Sequence, residues 1–175
     1  GCRWERFLRE RIMNPLGMND TAFYVPEEKQ PRLSKVYRSV EVDGKNHLEL
    51  FTNPNLGIQD KMDHEPAFES GGAGLCSTVE DYMKFANMLV NGGELNGIRI
   101  LQKRTVDFMT GARLSENLQK CFNNNMPHLS GYTYCNFLRI AFEPGRCKYL
   151  SDYEEFGWDG WLGPYVSIDL KNSLF

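Results

Sequence analysis

An α+β fold, with helices packed on an antiparallel sheet, is predicted by the order in which periodicities appear along the 175 residues. Apolar residues recur at three- and four-residue spacing through the first two thirds, while aromatic and β-branched runs fill the end. Helices first and strands last is the pattern of an α+β unit.

Composition agrees with a packed domain. Apolar residues make up 41% and charged residues 25%, which excludes disordered, collagen-like and coiled-coil classes. The length suits a single domain over 1–175 with its own core. Net charge is only −3, with lysines and arginines scattered among acids. Neither nucleic acid nor an anionic membrane is therefore expected as a partner. No apolar run has the length of a bilayer span, and the opening "GCRWERFLRERI" is charged from its third residue, unlike a secretory signal. The first residue is Gly and the last stretch, "SIDLKNSLF", is strand-like; both ends read as cut from something longer.

Metal and redox chemistry find little support. Cys2, Cys76, Cys121, Cys135 and Cys147 form no Cys-x-x-Cys pair, and their odd number argues against a closed disulfide framework. His47, His64 and His128 lack a second His at helical spacing, so a zinc helix is absent. "DHE" at 63–65 is read as a solvated loop. No metal is expected.

In chain order, Trp4, Phe7, Leu8 and Ile12 form one face of an amphipathic helix that ends near Pro15-Leu16-Gly17. Residues 21–65 are rich in Pro, Asn, Asp and Lys, with one alternating stretch whose Asp43-Gly44 fits a hairpin turn. Ser77 or Thr78 then caps a helix carrying Glu80 and Asp81 in its first turn, and Tyr82, Phe85, Ala86, Leu89 and Val90 along one stripe. Asn91-Gly92-Gly93 stops it. A shorter helix is expected over about 103–110, and the polar run 111–131 as a surface loop. The runs 132–142 and 163–170 are expected as strands.

The segment "SGGAGL" (70–75) is bare immediately before a capped helix. Glycine there serves positive φ or the close approach of backbone to a ligand or another segment. A phosphate cradle would need a Gly-Lys-Ser/Thr or Gly-x-Gly-x-x-Gly pattern, which is absent, so a tight turn at a pocket wall is the better fit.

Three blocks in order, "FLRERIMNPLGMNDTAFYVP", "ESGGAGLCSTVEDYMKFANMLVNGGELNGIRILQKRTVDFMT" and "FGWDGWLGPYVSIDL", resemble the later half of the serine β-lactamase-like family. That family includes class C β-lactamases, D-alanyl-D-alanine carboxypeptidases and related esterases. The resemblance implies a partial β-lactamase/transpeptidase-like fold and acyl transfer from an ester, peptide or lactam carbonyl. The implied partners are a small-molecule or peptide substrate and the missing N-terminal half of the same domain. No cofactor is implied. Such chemistry needs a serine activated by a nearby base and two N–H groups for the developing oxyanion. Family members carry these bases in Ser-x-x-Lys and Tyr-x-Asn, both before the region that Gly1 onward resembles.

None of the nine serines here is followed by lysine at the third position, so the nucleophile is expected outside this chain, which alone should be inactive. Tyr134-Cys135-Asn136 spells Tyr-x-Asn inside a strand-like run and is read as part of the sheet. Where relatives carry Lys-Thr-Gly or His-x-Gly, this chain has Trp158-Asp159-Gly160. The resemblance makes Gly160 the place where substrate lies along the strand, and the Trp161 amide an oxyanion donor. It sets Gly72 and Ala73 on the opposite wall. Tryptophan offers no cation to a lactam carboxylate, which weighs toward an ester or amide substrate. Without the resemblance, Trp158 and Trp161 would be two aromatics packing a sheet edge. A non-catalytic module that binds peptidoglycan-type peptides remains the alternative.

Overall fold

The computed structural model describes residues 1–52, 61–160 and 162–175. They form two compact units, Gly1–Asp81 and Tyr82–Phe175, whose boundary falls inside a helix.

The first unit opens with α1 (Trp4–Leu8), a π turn (Arg9–Met13) and α2 (Asn14–Leu16) in one continuous run. Pro15 explains the widened turn: it has no N–H and its ring collides with the carbonyl four residues back, so the ladder loosens. The Asn14 N–H accordingly bonds the carbonyl of Arg9, five residues behind. This shift of phase moves the inner face. Leu8, Met13 and Leu16 are buried, whereas Trp4 and Phe7, expected on that face, lie outside and stack at 5.5 Å. Glu69 caps the start of α1: its Oε2 accepts the Glu5 N–H at 2.9 Å, and its Oε1 accepts Arg3 Nε at 2.7 Å.

Strands β1 (Tyr37–Val42) and β2 (Lys45–Leu50) form the predicted hairpin. Asp43 and Gly44 both take positive φ, 52° and 72°, as a type I′ turn requires. Residues 53–60, part of the same predicted excursion, lie outside the described residues.

Helix α3 (Val79–Val90) starts where the sequence predicts. Thr78 Oγ1 accepts the Asp81 N–H at 3.2 Å, so of the two candidates Thr78 is the cap. The buried Asp81 carboxylate accepts the Asp20 N–H at 2.6 Å and the Thr21 hydroxyl at 3.1 Å. A short bridge between Ala22 and Cys76 completes the join. Together these tie the exit of the first helical run to the residues just after the glycine-rich loop.

In the second unit α3 ends as a Schellman motif. The Gly92 N–H bonds Leu89 O at 3.0 Å and the Gly93 N–H bonds Met88 O at 2.8 Å. A small hairpin, β3 (Glu94–Leu95) and β4 (Ile98–Arg99), leads to α4 (Lys103–Gly111). The run expected as a surface loop instead contains α5 (Glu116–Asn125). The expectation failed because the apolar stripe of α5 is short, only Leu118, Cys121 and Phe122 in an otherwise polar run; contacts with the sheet help to hold it. Phe122 stacks on Tyr134 at 5.9 Å and Gln119 Nε2 donates to Tyr132 O at 2.9 Å.

The sheet is an antiparallel meander of β5 (Tyr132–Cys135), β6 (Leu138–Ala141), β7 (Phe156–Asp159) and β8 (Tyr165–Ile168), paired in that order. The expected strand over 132–142 is thus a hairpin, turning at Asn136 and Phe137 with φ of 47° and 65°. Between it and β8 lies β7, which pairs with β6 only at Phe156 and Gly157 but with β8 along all four residues. Tyr132, Ile140, Ala141, Phe156 and Ile168 are the sheet's buried apolar residues.

Candidate functional site

The first candidate element is the turn 70–74, closed by a Gly74 N–H to Ser70 O bond of 2.8 Å. A Cβ at Gly74 would lie 2.9 Å from Ser70 O and 3.3 Å from Phe23 Cδ1; one at Gly71 would lie 3.2 Å from Trp4 Nε1. These two glycines answer to close packing inside their own unit. Gly72 differs: nothing lies within 4 Å of the Cβ it lacks, and it is exposed beside a half-buried Ala73. Gly72 and Ala73 therefore form an open crest held from below.

Glu69 anchors the entry to that crest. The Glu5 amide, and after it the Arg3 guanidinium, hold the Glu69 carboxyl below the usual carboxylate range. Sequence reasoning missed this role; an acid directly before a glycine-rich turn, with Arg3 near a helix start, was the available signal.

The second candidate element is the end of β7, in the other unit. Trp158 is half-buried and meets the Tyr134 ring at 5.4 Å and 62°, which in turn stacks on Phe122. Its indole thus packs the sheet while its backbone continues to Gly160. The Gly160 N–H bonds Pro164 O at 2.7 Å, and the Gly163 N–H bonds Gly160 O at 2.9 Å. A Cβ at Gly160 would fall 2.6 Å from Pro164 Cγ, so the turn into β8 requires its bareness. Trp161, the predicted oxyanion donor, lies outside the described residues.

Asp159 brings a residue that the sequence reading passed over. Its Oδ1 lies 3.4 Å from Nη1 of Arg139, whose side chain is only 1% exposed. Arg139 Nη2 donates to Val166 O at 2.8 Å, and the guanidinium sits 4.1 Å from the centre of the Tyr165 ring. An arginine within the apolar strand run "NFLRIAF" was the signal, since such a charge needs partners when buried.

Tyr134-Cys135-Asn136 is occupied by packing. The Tyr134 ring belongs to the aromatic stack, and Asn136 forms the hairpin turn with Nδ2 3.0 Å from Cys135 Sγ. Among the described residues no His, Cys, Asp or Glu group is placed to hold a metal, and no helix is long and apolar enough to cross a membrane.

Comparison with known proteins gives the chain's family and fold. Protein Rv1367c of Mycobacterium tuberculosis is 29% identical over 160 residues, covering 91% of this chain and 38% of that protein. Monacolin J acid methylbutanoyltransferase of Aspergillus terreus is 28% identical over 162 residues, covering 90% of this chain and 37% of the transferase. The chain therefore spans less than two fifths of these relatives. Among solved structures, a mutant of simvastatin synthase from Aspergillus terreus superposes with a TM-score of 0.73 at 24% identity, over 97% of this chain and 42% of that one. EstCE1, described as a hydrolase with promiscuous acyltransferase activity, gives 0.70 at 18%, over 97% and 43%. Both likenesses show the β-lactamase-like α+β fold. Since the family model for Beta-lactamase matches residues 1–175, the chain belongs to the Beta-lactamase family.

Proposed function

We propose that this chain is the substrate-facing part of a serine acyl-transfer enzyme that acts on ester, peptide or lactam carbonyls through an acyl-enzyme. The observation that carries the reading is the end of β7. A glycine that its own turn requires follows Trp158-Asp159, in a chain that belongs to this family over its whole length. Relatives named as an acyltransferase and as a hydrolase support the same reaction type.

In this proposal the nucleophilic serine and its base come from residues outside these 175, because no serine here has lysine at the third position. The serine attacks the carbonyl carbon and gives its proton to the base; the oxyanion forms against backbone N–H groups, of which the Trp161 amide is one. Trp158, Asp159 and Gly160 line the acyl group in this proposal. Water or an alcohol then takes the acyl group, giving hydrolysis or transfer.

Labelling tests this. Full-length protein incubated with a fluorescent acyl-phosphonate should carry the label on a serine outside the 175 residues, and the isolated chain should neither be labelled nor turn over a chromogenic ester. Turnover by the isolated chain, lost on replacing one of its own serines, would refute the assignment. The missing Ser-x-x-Lys also favours a second reading, a binding module for peptidoglycan-type peptides. Full-length protein that binds a D-alanyl-D-alanine peptide but takes no label would support that reading over the first.

A further inference from the structure

We propose that Asp159, held by the buried Arg139, makes the β7 edge select against anionic acyl groups, so that the preferred substrates are esters or amides of uncharged acyl chains. This inference rests on the acyl-transfer reading above.

The strand fixes where the carboxylate stands. Asp159 is paired with Tyr165 of β8, and Gly157, two residues earlier, is so tight against that strand that a Cβ would lie 2.0 Å from Val166 O. The backbone that carries the carboxylate is therefore held in register with β8. Arg139 approaches from the interior at 3.4 Å and is itself immobilised by Val166 O and the Tyr165 ring. The result is a pair with one end inside and one outside. The arginine side chain is 1% exposed while that of Asp159 is 44% exposed. Among the described residues, Asp159 Oδ2 has no hydrogen-bond partner, whereas Oδ1 faces the guanidinium.

What an incoming molecule meets first is thus the negative end of a dipole, one residue before Gly160. A second anion brought close to a half-exposed carboxylate is repelled in proportion to 1/εr. Over several ångströms at near-surface screening, that amounts to about three- to tenfold in relative rate. Arg139 is a positioning residue here: it touches no substrate, and it attenuates the field of Asp159 from behind.

The test compares p-nitrophenyl butyrate with p-nitrophenyl hemisuccinate, whose acyl chain ends in a carboxylate, using full-length protein. The readout is the ratio of kcat/KM for the anionic ester to that for the neutral one. Wild type should favour butyrate. Asp159→Asn should raise the ratio about three- to tenfold at low salt, and the gain should shrink as salt rises from about 20 mM to about 500 mM. Arg139→Met should move the ratio the other way, because the carboxylate loses its compensating charge, and a purely structural role would not produce that opposite sign. Should Arg139→Met fail to fold, Asp159→Asn, near-isosteric and half-exposed, decides alone.

A ratio that stays put in folded Asp159→Asn overturns the inference. Wild type that takes acyl-phosphonate label and turns over either ester keeps the acyl-transfer reading even then. Wild type that does neither loses both.

Discussion

Asp81 joins segments 61 and 60 residues apart through one buried carboxylate, accepting from the Asp20 amide and the Thr21 hydroxyl. Hydrogen bonds to a buried charged group each contribute more than neutral ones, and their loss strands the donors. Asp81→Ala should therefore lower stability by about 2–3 kcal/mol in urea unfolding. Asp20 itself titrates instructively. Arg32 and then Lys29, at 2.8 and 2.7 Å, hold its carboxyl down at about 2 from the ordinary 3.8. A depressed folded value means stabilisation that is present above the ordinary value and is lost as pH falls toward the folded one. Wild type should thus exceed Asp20→Asn in unfolding temperature near neutrality, and that margin should close between about pH 4 and about pH 2. A margin independent of pH would contradict the ion-pair origin.

At the scale of elements, Gly157 is the most exacting position in the sheet. A methyl there would overlap the Val166 carbonyl of β8, so Gly157→Ala should part the β7–β8 pairing and cost about 2–4 kcal/mol. Helix α5 depends on a different anchor. Phe122→Ala removes its stack on Tyr134 and should cost about 1–2 kcal/mol, with hydrogen-exchange protection falling first in α5. These elements also show which parts of the fold were readable. Helix α3 was legible because a Thr cap, first-turn acids, a regular apolar stripe and a Gly-Gly stop all agree. The first hairpin was legible because Asp43-Gly44 suits the turn it makes. Its counterpart between β5 and β6 was hidden, since Asn136-Phe137 takes left-handed backbone without a glycine. The inner face of the first helical run was misassigned because the π turn steps five residues from Leu8 to Met13, a period no helical stripe anticipates. Helix α5 was missed because its stripe, Leu118, Cys121 and Phe122, is short and set among polar residues. Of the candidate site, the glycines and the Trp158-Asp159-Gly160 run could be picked out as residues, but the buried Arg139 behind them was visible only once β6 and β7 were paired.

At the scale of the whole molecule, the open crest at Gly72 and Ala73 belongs to the first unit and the β edge at Gly160 to the second. The chain spans less than two fifths of the two curated relatives compared. The most direct measurement is a crystal structure of the full-length protein with an acyl-phosphonate on its serine. Acyl carbons are expected within van der Waals distance, about 4 Å, of Gly160. An adduct whose acyl carbons sit away from Gly160 would contradict the acyl-transfer reading of this strand end.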